Sequence, residues 1–194
     1  MKTKTLIIIG AIVAIIVIFC WSAYNGLATA QQEVSAKWSN VETQYQRRSD
    51  LIPNLVSTVK GYAAHEQETL QSVVNARAAA TSVNVDAANM TADGFKAYSD
   101  AQNSVTQALG RLIAISENYP DLKANQNFME LQSQLEGTEN RIAVARKEYN
   151  DAVKSFNIKV VTFPNNLLAG MFGFSQKEFF ASAEGASTVP VVEF

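Results

Sequence analysis

The residues best suited to chemistry gather in RRSDLIPNLVSTVKGYAAHE, positions 47–66, where two arginines, an aspartate, a proline, a histidine and a glutamate interrupt sequence that otherwise reads as plain helix. His65 is the only histidine, and Glu66 follows it. A helical zinc hydrolase needs H-E-x-x-H so that both imidazoles share one face, and residue 69 is Thr, so that reading fails. A lone histidine on a helix reads as a surface or capping residue. Glu66, Glu130, Glu136, Glu139 and Glu148 raise the question of a carboxylate-bridged di-metal site, but such sites in helical bundles need Glu-x-x-His pairs, and no glutamate has a histidine three positions on. No G-x-S-x-G elbow, P-loop or G-x-G-x-x-G follows a strand-like run. The sequence therefore offers no catalytic residue, no metal-ligand set and no cofactor site.

What remains is charge placed on apolar stripes. Arg48, Glu66 and Arg77 hold positions that a 3–4 spacing assigns to an interior, and Glu139 and Arg146 flank Ile142 and Tyr149. Buried charge is costly unless paired. Two readings stay open: an ion-pair network that fixes helix register, or a polar pocket or docking site. Arg48, Glu66 and Arg77 are too far apart along the chain to neutralise one another locally, so partners must come from across the fold. The expected pairs are Arg48 or Arg77 with Glu139, and Arg146 with Glu66.

Composition narrows the classes. The 194 residues suffice for one domain with attachments. Sixteen basic and 18 acidic residues nearly cancel, and no basic stripe is interleaved with aromatics, which argues against a nucleic-acid partner. Cys20 is the single cysteine, so an intrachain disulfide and a cysteine zinc site are excluded.

Residues 6–28, from Leu6 to Ala28, contain no charge. As a helix they reach about 34 Å, enough to span a bilayer. MKTKT and Ala28-Thr29-Ala30 could also serve as the ends of a cleaved signal peptide. The most apolar run ends at Trp21, however, far upstream of that site, and Trp21 and Tyr24 suit an interfacial belt. A retained anchor is expected. Phe19 stands where a lipoprotein signal needs a small residue. Lys2 and Lys4 precede the span and the next basic residue is Lys37, so residues 1–5 are expected in the cytoplasm and the rest outside it.

The elements beyond the anchor read as helices. Leu27, Ala30, Val34, Trp38, Val41 and Tyr45 form one amphipathic stripe continuous with the span, and it runs on through Ile52, Val56, Val59, Ala63, Leu70 and Val73. Pro53 interrupts it. With Asp50 as N-cap, Pro53 would sit in a first turn, so one helix is expected to end near Arg48 and another to start at Leu51. Thr81–Gly94 reads as a loop, and a third helix carries Tyr98, Val105, Leu109, Leu112 and Ile115. It should stop before Pro120, with ENYPDLKAN as the turn. A fourth helix shows a heptad pattern from Phe128 to Phe156. The expected fold is all-α: the anchor at 6–28 continues into an antiparallel four-helix bundle at 29–158, followed by an irregular Phe/Gly-rich tail at 159–194.

Five blocks, taken in order, resemble the LemA family of bacterial membrane proteins: YNGL, RRSDLIPNLVSTVKGYAAHE, NARAA, ENYPDLKANQNFMELQSQLEGTENRIAVARKEYNDAVKSFN and FPNNLLAGMFGF. Matching positions are Arg47, Arg48, Asp50, Pro53, Asn54, Glu66, Arg77, Tyr119, Pro120, Glu139, Asn140, Arg146, Tyr149, Asn150, Asn157, Phe163 and Pro164. The resemblance implies a membrane-anchored helical bundle with no established enzymatic activity. The expected function is that of a scaffold or adaptor in cell-envelope or membrane organisation, with the bilayer, other membrane or envelope proteins, or a second copy as partners. The alternative is a ligand-binding or sensory module that uses the Arg/Glu cluster or the tail.

Overall fold

The computed structural model describes residues 2–83, 85 and 90–181, and every regular element among them is a helix. The elements are α1 (Lys2–Tyr62), α2 (Gln67–Ser82), α3 (Ala92–Ser116), α4 (Pro120–Lys123), α5 (Gln126–Val161) and α6 (Asn165–Phe172). Helix α1 runs for 61 residues, roughly 90 Å. No glycine falls between Gly26 and Gly61, and the only proline in α1 is Pro53, so few residues oppose the helix. Its first part is long and apolar enough to cross a membrane, and its large side chains there, Leu6 to Ile18, are exposed. From Leu27 onward every third or fourth residue turns into a core.

The expected break between Arg48 and Leu51 does not occur. Asp50 accepts a hydrogen bond from Gln46 at 2.7 Å instead of capping a new helix. Pro53 deletes the N–H that would have bonded the Ser49 carbonyl, and Arg77 of α2 supplies the missing donor, its Nε lying 2.9 Å from that oxygen. The chain turns instead at residues 63–66, just after Gly61, where the Ala63 and Glu66 N–H groups close onto the Val59 and Ala63 carbonyls.

Other boundaries shift for similar local reasons. The expected loop Thr81–Gly94 is shorter, because α2 continues to Ser82 and Thr91 caps α3 by accepting the Gly94 N–H at 3.1 Å. Residues 84 and 86–89 of that loop lie outside the described residues. The ENYPDLKAN turn contains α4, with Pro120 in its first turn, and Asn125 caps α5 by accepting the Phe128 N–H at 3.0 Å. Helix α5 passes the expected boundary at 158 and ends at Val161. The expected irregular tail contains α6, which stops at Gly173 with φ 77°, a left-handed conformation suited to glycine. Residues 174–181 then run beside α5 without regular structure, and the remaining tail, 182–194, lies outside the described residues.

Helix α1 packs on α5, α2 packs on α3 and on α1, and α6 rests on α1 and α5. Polar contacts mark the α1–α5 seam: Lys159 reaches the Gly26 carbonyl at 3.4 Å, Lys37 pairs with Glu148 at 2.9 Å, and Arg48 pairs with Glu139 at 2.8 Å. The core falls into two clusters. One holds Leu27 to Tyr45, Phe95, Tyr98 and Ile142 to Val160, and the other holds Ile52 to Val73, Val105 to Leu112, Phe128 and Leu135. Between them lies a layer of buried polar residues, Arg48 of α1, Gln102 of α3 and Thr138 of α5.

Candidate functional site

Helix α1 delivers Arg48 into that polar layer with its side chain 2% exposed. Helical spacing leaves it no choice, since Tyr45 and Ile52, three and four positions away, are both buried. Its Nη1 donates to Thr106 Oγ1 at 2.7 Å and to Glu139 Oε1 at 2.8 Å. Its Nη2 donates to the Gln102 side chain at 2.7 Å and the Gln102 carbonyl at 3.1 Å. The guanidinium also sits 5.0 Å from the centroid of the Tyr45 ring. Thus one charge is met by α3 on one side and α5 on the other. Glu139 is 37% exposed, so the pair has one buried end and one wet end.

Arg77 lies beside this layer. It lines a cavity of about 170 Å³ together with Glu42, Tyr45, Ser49, Tyr98 and Gln102. Its Nε serves the Ser49 carbonyl, and among the described residues no acidic side chain pairs with it. The Ser49 hydroxyl is buried and has no hydrogen-bond partner among the described residues. Burial raises the Glu42 carboxyl above the usual carboxylate range, and burial also raises the Tyr45 and Tyr98 phenols. The cavity can therefore offer the Arg77 guanidinium, beside that of Arg48, with the Ser49 hydroxyl, the Glu42 carboxyl and neutral phenols to a small polar ligand. It presents no nucleophile poised on a base, and among the described residues no three His, Cys, Asp or Glu side chains lie close enough to hold a metal together.

The remaining residues singled out from sequence lie elsewhere. Glu66 sits at the turn before α2 and accepts the Tyr119 hydroxyl at 2.9 Å, an interaction that raises the Tyr119 phenol. Arg146 lies over the Phe180 ring at 4.5 Å and reaches the Ala181 carbonyl at 3.4 Å. The expected Arg146–Glu66 pair is thus replaced by two unrelated contacts, because the turn at 63–66 carries Glu66 to the far end of α1 from the Arg146 level. His65 is exposed in the same turn. The structure brings together Arg48, Glu139 and, at the cavity edge, Arg77.

Sequence reasoning missed Gln102 and Thr106. Only a weak signal was present: Gln102 falls on the buried stripe between Tyr98 and Val105 of α3, where a neutral polar residue names no partner, and Thr106 beside it is exposed. The Arg77 contact had no such signal, because its acceptor is a main-chain carbonyl.

A sequence model of the LemA family matches residues 37–194. Magnetosome protein MamQ 2 of Paramagnetospirillum magneticum is 29% identical, over 87% of this chain and 68% of its own length. Magnetosome protein MamQ of Magnetospirillum gryphiswaldense is 28% identical with the same coverage. Protein LemA of Metamycoplasma hominis is 24% identical over 82% of this chain and 69% of its own.

Proposed function

The chain belongs to the LemA family, and from that premise we propose that it is a non-enzymatic single-pass membrane protein acting as a scaffold or adaptor in cell-envelope or membrane organisation. In this reading the body is an antiparallel four-helix bundle of α1, α2, α3 and α5, residues 1–5 are cytoplasmic, and the bundle stands outside the cytoplasm. The α1–α5 pairs support the antiparallel arrangement, since partner numbers on α5 fall from 159 to 139 as those on α1 rise from 26 to 48. Orientation rests on Lys2 and Lys4 preceding the span.

The observation that carries the reading is the continuity of α1. The same helix is a bilayer-length apolar segment and a core element of the body, so the body has no linker about which to swing. A second contact supports it. Phe163, Leu167 and Met171 are exposed on and beside α6, and Phe172 of α6 meets Tyr24 at 5.0 Å, where α1 leaves its apolar segment. In this reading that exposed apolar patch rests on the bilayer interface.

Photo-crosslinking in native membranes from Val74 and Val144, both exposed on the body, followed by mass spectrometry, tests the scaffold. It expects a few discrete protein neighbours, and their loss when Gly-Gly-Gly is inserted between Trp21 and Ser22. Lipid adducts alone, or neighbours indifferent to the insertion, contradict it. Active reporters outside the cytoplasm on C-terminal fusions are expected, and activity only inside would reverse the orientation.

The cavity beside Arg77 favours a second reading, a ligand-binding or sensory module. A small carboxylate or phosphate that raises the melting temperature of the wild type but not of Arg77→Ala would select it.

A further inference from the structure

Residues 174–181 are held like a docked peptide. Asn157 of α5 donates its Nδ2 to the Lys177 carbonyl at 2.9 Å and accepts the Lys177 N–H at 2.8 Å. Asn150, two turns earlier, does the same for Phe180, at 3.0 and 2.9 Å. Each carboxamide thus exchanges both main-chain hydrogen bonds of one residue, as a neighbouring strand would. The spacing explains why it works. Seven helical residues rise about 10.5 Å, and three residues of extended chain cover about 10 Å, so two asparagines seven apart on a helix match an extended peptide at every third residue.

These bonds read only the main chain. Selectivity comes from the Phe180 side chain, which enters a cage: Trp38 stacks on it at 5.9 Å, Phe95 and Tyr149 approach to 4.8 and 5.4 Å, and the Arg146 guanidinium covers it at 4.5 Å. Ser175, Gln176, Glu178 and Phe179 remain exposed. One deep aromatic anchor, main-chain clamps and outward-facing side chains between them are how proteins recognise extended linear segments.

We propose that the cleft formed by α1, α3 and α5 is a binding site for extended peptides carrying an aromatic anchor, and that residues 174–181 are its built-in competitor. The site takes a segment from a partner protein that pairs its main chain with Asn157 and Asn150 and inserts a Phe-like side chain between Trp38 and Phe95. Gly173, with its left-handed φ, is the joint at which the resident segment departs from α6. This partner chemistry rests on the adaptor reading above, whereas the cleft can be tested without it.

The test uses the full chain in detergent micelles and a fluorescein-labelled peptide with the sequence of residues 174–181, read by anisotropy. Phe180→Ala empties the cage from within, and Lys177→Pro removes the N–H that Asn157 accepts while leaving Phe180 in place. Either variant should bind the added peptide at least about tenfold more tightly than wild type, whose cleft is already filled. Adding Asn150→Ala to the opened variant should abolish that gain, and a peptide with Ala at the Phe180 position should not bind. Should Phe180→Ala lose its helical circular dichroism, Lys177→Pro gives the result. Absence of binding to a folded opened variant, or equal binding of the Ala peptide, overturns the proposal. Crosslinked neighbours that persist in native membranes despite that result would leave the scaffold reading standing.

Discussion

Arg48 makes four hydrogen bonds from a site almost closed to water, which makes it the side chain whose loss should be felt most. Arg48→Ala empties the layer between the two clusters and strands the Gln102 oxygen, a loss expected to be about 3 kcal/mol in denaturant unfolding of the detergent-solubilised chain. Glu139→Ala should cost only about 1 kcal/mol, because its carboxylate is partly hydrated and Thr106 and Gln102 still hold the guanidinium. Equal losses would mean that the ion pair, rather than the whole layer, fixes the register. Glu42 gives a pH test. Its raised carboxyl binds a proton more tightly in the folded chain than in the unfolded one, so that stabilisation is complete at low pH and fades as pH rises through the folded value. Glu42→Gln should flatten the fall in stability above about pH 4.5, and unchanged slopes would remove Glu42 as its source. Arg48 was legible in the sequence as a charge on an apolar stripe, and Glu139 as a candidate partner. Gln102 and Thr106 were not, because neutral polar residues on or beside a stripe are common and announce no partner.

At the scale of elements, Pro53 shows where local rules are overridden. Taken alone, Asp50 and Pro53 are start signals for a helix. The helix continues because a donor from another element replaces the one proline lacks. Arg77→Ala should therefore destabilise the fold by about 1 kcal/mol, the low end of the penalty for an unsatisfied carbonyl, because this one is only partly buried. Pro53→Ala restores an N–H to Ser49, so in that background the same Arg77→Ala should cost less than half as much. Additive losses in this double-mutant cycle would show that Arg77 acts elsewhere. The heptad pattern of α5 and the stripe of α1 were legible because each buries one continuous face. The path of 174–181 was not, since its main chain is recognised by Asn150 and Asn157, two polar positions beside the apolar stripe whose seven-residue spacing matters only once an extended segment lies against them.

For the whole molecule, the apolar segment, the long helix and the exposed patch at α6 are the features on which the proposal of a body seated on the bilayer, rather than tethered above it, rests. Tyr24 and Phe172 meet near the end of the apolar segment, and Lys159 of α5 donates to the Gly26 carbonyl at the same level of α1. Val144 lies on α5 near the level of Val41, about 25 Å further along α1 than Tyr24. Spin labels at Leu167 and Val144, placed singly in a Cys20→Ser background and reconstituted in liposomes, measure this seat through their accessibility to oxygen and to a water-soluble nickel complex. A seated body places the Leu167 label at interfacial depth, shielded from nickel, and the Val144 label fully in water. Equal exposure of both labels to nickel would mean that α6 does not meet the membrane and that the body is carried by α1 alone.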